Sequence, residues 1–299
     1  RVLFRSEHIA MAALAADQDG LAQATMRAAF TGNALFPPDA GSMLNVLVRA
    51  THPGHDNATI AAANRAIDAL GAGVDALDAD AIRWFAAQLP DYATPLLRLS
   101  ARVARRVVDT AIGDEETARA LNNYASRLSA TGDARGALEP ARRAVGMIED
   151  LARAAPARFR PDLAGSLNNY ANHLSATGDA QGALEPARRA VEIYEDFARA
   201  EPARFSPDMA RACGGLGQVL MANRDAAGAA DAFARGVEAI RDHAAAMPAA
   251  HAGLLRALLG GFVRAMQASG ASKTDILVRI EALGIDPALF VDNDDEPEA

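Results

Sequence analysis

The side chains best suited to chemistry are few in this chain, and their spacing is poor for catalysis. His52, His55 and Asp56 stand together beside a Pro-Gly turn. A metal would need a third strong ligand close by, and without one these read as ordinary turn residues. Cys213 is the single cysteine, and the nearest histidine along the chain, His243, brings no oxyanion motif with it. A thiol nucleophile needs both partners, so a small buried apolar residue is the expectation there. Gly270-Ala-Ser-Lys273 is too short for a phosphate-binding loop, and G-x-S-x-G, H-E-x-x-H and paired C-x-x-C motifs do not occur. No catalytic residue, metal or cofactor is therefore expected. What recurs is hydrogen-bonding capacity. Asn122, Asn123 and Ser126 are followed by Asn168, Asn169 and Asn172, then by Gln218, with Arg119, Arg211, Arg264 and Gln267 on the same stretches. An amide offers both donor and acceptor, which suits holding a polypeptide rather than breaking a bond.

The elements that carry these residues repeat. Leu121-Asn-Asn-Tyr-Ala125 returns as Leu167-Asn-Asn-Tyr-Ala171, an offset of 167 - 121 = 46, and 30 of the 38 positions from Leu121 to Arg158 are identical in Leu167 to Arg204. Weaker copies keep the register. Tyr124, Tyr170, Leu216 and Phe262 form one series, and Leu128, Leu174, Leu220 and Met266 another. A fixed period of this length marks a stacked helical array, because one hairpin cannot bury its apolar stripe alone.

Each unit reads as two helices. The first is expected from about Pro161 to Ala176, with apolar residues three and four apart. Phe159-Arg-Pro-Asp162 and Phe205-Ser-Pro-Asp208 are expected to break the chain ahead of each first helix, placing Pro161 and Pro207 in the first turn. Gly178 permits a left-handed stop and Asp179 caps the next helix. That second helix buries Ala183, Leu184, Ala187, Ala190, Val191 and Tyr194 and pairs Glu185 with Arg189 on its surface. Pro140 and Pro186 fall inside second helices, four residues after Gly136 and Gly182, and predict a local kink or a late start.

Composition agrees with an all-α chain. Hydrophobic content is 51% but aromatics are 5%, and alanine, the best helix former, dominates. Of the net charge of -8, five acids lie in the last eight residues, leaving -8 + 5 = -3 for the body. Such a body offers no basic face for phosphates, so nucleic acid is not an expected partner. No apolar run approaches the ~20 residues that span a bilayer, so no membrane contact is expected either. A lone cysteine fits a reducing cytoplasm.

The Leu-Asn-Asn-Tyr-Ala segments, the glycine between helices and Ala183…Ala187…Arg-Ala190-Val resemble the tetratricopeptide repeat family in its longer, kinesin-light-chain-like form. The resemblance covers roughly residues 114–284. It is strongest in the middle two units and weakens where Gly214-Gly215 and Gly260-Gly261 replace the asparagine pair, which marks the fourth unit as a terminal cap. It implies an α-solenoid of antiparallel hairpins wound into a right-handed superhelix. It also implies that Arg119, Asn122, Asn123, Ser126, Asn168, Asn169, Asn172, Arg211, Gln218, Arg264 and Gln267 line a concave groove that binds a peptide or protein segment. The arginines favour an acidic partner. A competing reading has the asparagines bonding neighbouring helices and holding the superhelix in register.

The expected organisation is an adapter-derived artefact over 1–6, a helical segment over 7–110 that includes decayed repeats or a separate small domain, repeats over 111–287, and a disordered acidic tail over 288–299. Within 7–110, helices are expected at Glu7–Ala16, Leu21–Phe30, Thr59–Leu70, Ala79–Leu89 and Thr94–Val108, with turns at Phe36-Pro-Pro-Asp39 and His52-Pro-Gly-His55. Two other roles remain open. One is a regulatory arm of a larger signalling NTPase or protease whose catalytic domain lies upstream of the chain's methionine-less start. The other is self-association through exposed repeat ends.

Overall fold

A computed structural model describes residues 40–54, 56–90 and 93–286. Every regular element among them is helical. The expected helices at Glu7–Ala16 and Leu21–Phe30, the turn at Phe36-Pro-Pro-Asp39, the segment 1–6 and the acidic tail lie outside the described residues. By packing, the chain falls into two units, divided between Ala144 and Val145.

The first unit begins with α1 (Ala40–Ala50), α2 (Asn57–Gly73), α3 (Ala79–Gln88), α4 (Leu97–Thr110) and α5 (Asp114–Ala130). Helix α1 is absent from the sequence-based expectation. Its apolar residues Met43, Leu44, Val46, Leu47 and Val48 run almost continuously over eleven residues, too short a pattern to separate from a buried strand. Asp56 starts α2 by accepting the Thr59 amide at 2.9 Å, and Asp78 starts α3 by accepting from the Ala81 amide at 2.8 Å. Leu44, Leu47, Ile82, Phe85, Leu96 and Leu99 form the core, with Trp84 half-buried against it. Helix α4 packs on α5 across a short turn in which Gly113 takes a φ of 80°.

Helix α6 (Ala134–Ala154) leads into the second unit, formed by α7 (Pro156–Ala176), α8 (Ala180–Ala200), α9 (Pro202–Ala222), α10 (Ala226–Ala246), α11 (Pro248–Ala268) and α12 (Lys273–Ala282). From α7 to α11 each helix packs on the next, and α7 also touches α9 as α9 touches α11. First helices start 202 - 156 = 46 and 248 - 202 = 46 residues apart.

The first helices begin earlier than expected. Pro156 and Pro202 occupy the first turn, where a missing N–H costs little, and Pro161 and Pro207 lie inside the helices. The break falls instead at Ala155, Glu201 and Met247, whose ψ values of 75°, 69° and 71° lie outside the helical region. The sequence argument weighed the Phe-x-Pro-Asp pair above the proline five residues earlier. Helices α6 and α8 run through Pro140 and Pro186 from Ala134 and Ala180, so there is no late start.

Three second helices, α6, α8 and α10, share one cap. Asp133, Asp179 and Asp225 accept from the amides of Gly136, Gly182 and Gly228 at 2.8, 2.8 and 2.9 Å. A Cβ on Gly182 would lie 2.3 Å from the Asp179 carboxylate, so the glycine makes room for the capping group. In the turn between first and second helix, Gly132, Gly178 and Gly270 take φ near 90°, while the corresponding Arg224 takes 63°. A left-handed conformation costs a residue with a Cβ about 1–2 kcal/mol. Arg224→Gly is therefore expected to stabilise the chain by about 1 kcal/mol, part of the gain being lost to greater freedom of the unfolded chain. Thermal melting reads the sign, and a lower Tm in the variant would contradict the strain argument.

Ion pairs tie successive second helices. Glu149 meets Arg189 at 2.9 Å and Glu195 meets Arg235 at 2.8 Å, again 46 residues apart. Arg189 also reaches Glu185 at 3.5 Å, as its spacing suggested. Being partly exposed, each pair contributes at most about 1 kcal/mol.

Candidate functional site

The polar residues singled out from the sequence sit on first helices, in both units. In the first unit, Arg119 on α5 is exposed and pairs with Glu115 at 2.9 Å, while Asn122 is half-buried and its carbonyl accepts from the Ser126 hydroxyl at 3.1 Å. Asn123 and Ser126 border a cavity of about 430 Å³ whose walls include Ala86 from α3, Leu89 just after it, and Leu97, Val103 and Val107 from α4. Arg127 also borders it. Sequence reasoning missed that cavity because nothing in the sequence says which side of α4 turns toward α5.

In the second unit, the helical period places Gly165, Asn169 and Asn172 along one stripe of α7. Forty-six residues on, the stripe reads Arg211, Gly215 and Gln218 on α9, and then Ala257, Gly261 and Arg264 on α11. Arg211, Gln218, Arg264 and Gln267 are exposed, and Asn169 and Asn172 are half-buried. Arg211 is held by Asp208 at 2.7 Å. Its charge is thus largely compensated within its own helix.

Asn168 and Asn172 turn toward the neighbouring first helix. A Cβ on Gly215 would lie 2.5 Å from the Asn168 Oδ1 and 3.3 Å from the Asn172 Oδ1, so glycine at 215 is what lets the two amides pack there. The Asn168 Oδ1 is buried without a hydrogen-bond partner. A side-chain bond between these repeats comes from Asn223, whose Nδ2 donates to the Ala180 carbonyl at 2.6 Å.

Glycines that looked like decay of the repeat are places where neighbouring side chains have grown. The Phe233 ring on α10 lies where Cβ atoms on Gly217 and Gly261 would come within 2.7 and 2.5 Å of it. Leu258 on α11 occupies the space beside Gly214 and Gly236, at 3.1 and 2.8 Å from a Cβ on each. One repeat earlier, alanine stands at 187 and at 171, the equivalents of 233 and 217. Volume is conserved while its owner changes.

Burial is the main cause of the shifted proton affinities of Cys213, Tyr194 and His173. Burial pushes the Cys213 thiol up to about 11, which keeps it protonated at neutral pH and fits an apolar packing role. The Tyr194 phenol is also pushed up, first by burial and then by the Asp208 and Asp162 carboxylates. Asp56 is held low by its bonds to Thr59, so this member of the His52–Asp56 grouping is engaged as a helix cap. The His52 Nδ1 accepts from the Gly54 amide at 3.2 Å. His55 lies outside the described residues, among which no group of three or more potential metal ligands occurs.

His173 on α7 is buried, and its Nε2 has no hydrogen-bond partner. Burial holds its imidazole below the usual value of 6.5. The unfolded chain therefore binds a proton at higher pH than the folded one, and stability falls as pH drops below about 6.5. Valine stands at the equivalent position 219, so His173→Val should remove this acid-side loss. Melting curves between about pH 8 and about pH 5 test it. An equal fall in the variant would show that other groups set the acid limit.

No family model matches the chain, and no curated protein matches it. Among solved structures, two crystal structures of TPR-like repeats from a Podosopora anserina kinesin light chain are similar at 19% identity. Their TM-scores are 0.49 and 0.48, and they cover 71% and 69% of this chain and 94% and 92% of their own. A circular tandem repeat protein is similar at 13% identity and a TM-score of 0.24, over 95% of this chain and 66% of its own. No helix among the described residues is long and apolar enough to cross a membrane. In the second unit, hairpins of two 21-residue helices, α7 with α8 and α9 with α10, stack so that first helix meets first helix, which is the fold of a helical-repeat array.

Proposed function

We propose that the chain is an interaction scaffold whose first-helix faces bind a segment of another polypeptide. Stacked helical repeats generate extended surfaces of the kind used for such binding. The observation that carries the reading is the row of polar side chains left accessible at matching positions of consecutive first helices: Asn172 on α7, Gln218 on α9 and Arg264 on α11 stand 46 residues apart, with Asn169 and Gln267 beside the row. Amides and guanidinium groups spaced along such a row supply donors and acceptors to an extended backbone, which must satisfy its own polar groups when it docks. In the first unit, Asn122, Asn123 and Ser126, with Arg119 one turn away, form the corresponding row, and the cavity that Asn123 and Ser126 border suits an apolar side chain of a ligand.

Asn168 is the least suited member of the set, because its carbonyl oxygen already packs on the next helix. The better test replaces Gln218, Arg264 and Gln267 together with alanine. All three are exposed, and surface changes of this kind shift stability by about 0.5 kcal/mol or less. Helicity and Tm should stay at wild-type values, while binding of peptides selected on the wild type from a displayed library should weaken about tenfold or more. Selected peptides that bind the triple variant with undiminished affinity would sink the assignment of this row.

A further inference from the structure

The junction between α10 and α11 differs in chemistry from its copies. One repeat earlier, Phe197 at the end of α8 meets Phe205 at the start of α9, with ring centres 5.1 Å apart. At the equivalent places stand His243 and His251, whose ring centres lie 5.9 Å apart at an interplanar angle of 85°. Between them the junction residue changes from Glu201 to Met247. Met247 stands one turn from each histidine, its amide donating to the His243 carbonyl at 2.8 Å and its carbonyl accepting from the His251 amide at 3.2 Å. Its side chain is largely open to solvent. An apolar pair around an acid has become two imidazoles around a thioether.

The surrounding charge changes with it. In the earlier copies an arginine stands over the ring that opens the first helix, Arg158 over Phe159 at 4.7 Å and Arg204 over Phe205 at 4.6 Å. Arg160 of α7 also approaches Phe197, at 5.8 Å. The equivalents at the histidine junction are Ala250 and Ser206, and neither carries a charge. Arg241 on α10 turns elsewhere, meeting Asp242 at 3.5 Å and donating to the Leu283 carbonyl at 2.8 Å. Like charges this close repel where water is partly excluded, so the loss of two arginines removes an obstacle to a bound cation. The Nδ1 of His251 is also buried without a hydrogen-bond partner, a state that a ligand would relieve.

We propose that His243, Met247 and His251 form a site for a soft metal ion, with Cu(I) the best match. A ligating imidazole nitrogen lies about 2.0 Å from its ion, so each ring centre lies about 3 Å away and two ligating rings can stand up to about 6 Å apart. The separation here is within that reach, and binding turns one ring from the edge-on arrangement so that a nitrogen of each faces the ion. Imidazole and thioether together suit Cu(I), whereas Zn(II) draws on thiolate, imidazole and carboxylate. Histidines, cysteines and carboxylates alone do not gather in threes among the described residues; the third donor here is a thioether. The ion ties the last turn of α10 to the first turn of α11 and stiffens their junction. This site stands apart from the row on the first helices, and neither needs the other.

The test titrates the full chain with Cu(I), without oxygen, against bicinchoninate, whose coloured copper complex reports what the protein withdraws. The expected result is one equivalent withdrawn and a Tm that rises on loading. His243→Phe and His251→Phe restore the rings of the preceding copy, and each should weaken Cu(I) binding about tenfold or more. Met247→Leu keeps the bulk of the side chain and should also weaken it about tenfold. Ala250→Arg returns the arginine of the earlier copies and should weaken binding by a smaller factor without touching a donor. Melting curves without metal establish that each variant is folded. Met247→Leu and Ala250→Arg, both at exposed positions, keep the test open should a histidine variant fail to fold. A chain that leaves bicinchoninate fully loaded, or variants that all withdraw copper as the wild type does, would overturn the site. Loss in both histidine variants with Met247→Leu unchanged would overturn the thioether and with it the choice of Cu(I).

Discussion

Replacing Phe233 with alanine is expected to cost the second unit about 3–5 kcal/mol, a large share of the stability of an ordinary domain. The ring is 3% exposed and wedged between α9 and α11 at two glycines. Removing it leaves a void that neither Gly217 nor Gly261 can fill, because neither has a side chain to move. The repeat one step earlier supplies the control. There alanine at 187 faces alanine at 171, so adding Gly217→Ala to Phe233→Ala restores the earlier pairing at one of the two contacts. The double variant should recover part of the loss, whereas Gly217→Ala alone should be destabilising by about 1–3 kcal/mol, since a methyl within 2.7 Å of a ring has nowhere to go. That clash outweighs the ~1 kcal/mol that alanine gains over glycine in helix propensity. Denaturant melts of the four proteins close the cycle, and additive effects would contradict the volume exchange.

The second large effect is expected at Leu258. It is 2% exposed, and Leu258→Ala should cost about 2–5 kcal/mol. The reciprocal change is more telling. Ala212 is the equivalent residue one repeat earlier, where Asn168 and Ala190 stand in place of Gly214 and Gly236. No space has been cleared there, so Ala212→Leu should destabilise by about 1–3 kcal/mol although it adds apolar surface to a buried site. Should Ala212→Leu stabilise the chain in a denaturant melt, the repeats would be packed more loosely than their glycines imply.

Much of this arrangement was legible in the sequence. The 46-residue offset assigned the hairpins, and Asp179, Gly178 and the Glu185–Arg189 pair stand where their spacing put them. Two kinds of information were not legible. Helix starts depended on choosing between prolines five residues apart, and local propensity favours both Pro156 and Pro161 in a first turn. The meaning of Gly214, Gly217, Gly236 and Gly261 depended on Phe233 and Leu258, which are distant in sequence and meet them only after the helices stack. For the candidate site, the repeat placed the polar residues on first helices, but helical periodicity does not separate Asn168, turned toward Gly215, from Asn169 beside it.

The ion pairs between second helices bear on how such a chain can change length. Glu149–Arg189 and Glu195–Arg235 are the same joint made twice, and the segments that carry Glu149 and Glu195, Leu121 to Arg158 and Leu167 to Arg204, are identical at 30 of 38 positions. Recombination between those segments would delete or insert one whole hairpin and rejoin matching surfaces, with carboxylate again meeting guanidinium. The next joint does not allow this, because Phe233 fits only beside Gly217 and Gly261. Copy number can therefore drift freely at one end of the second unit, while the other end is locked by a single aromatic ring.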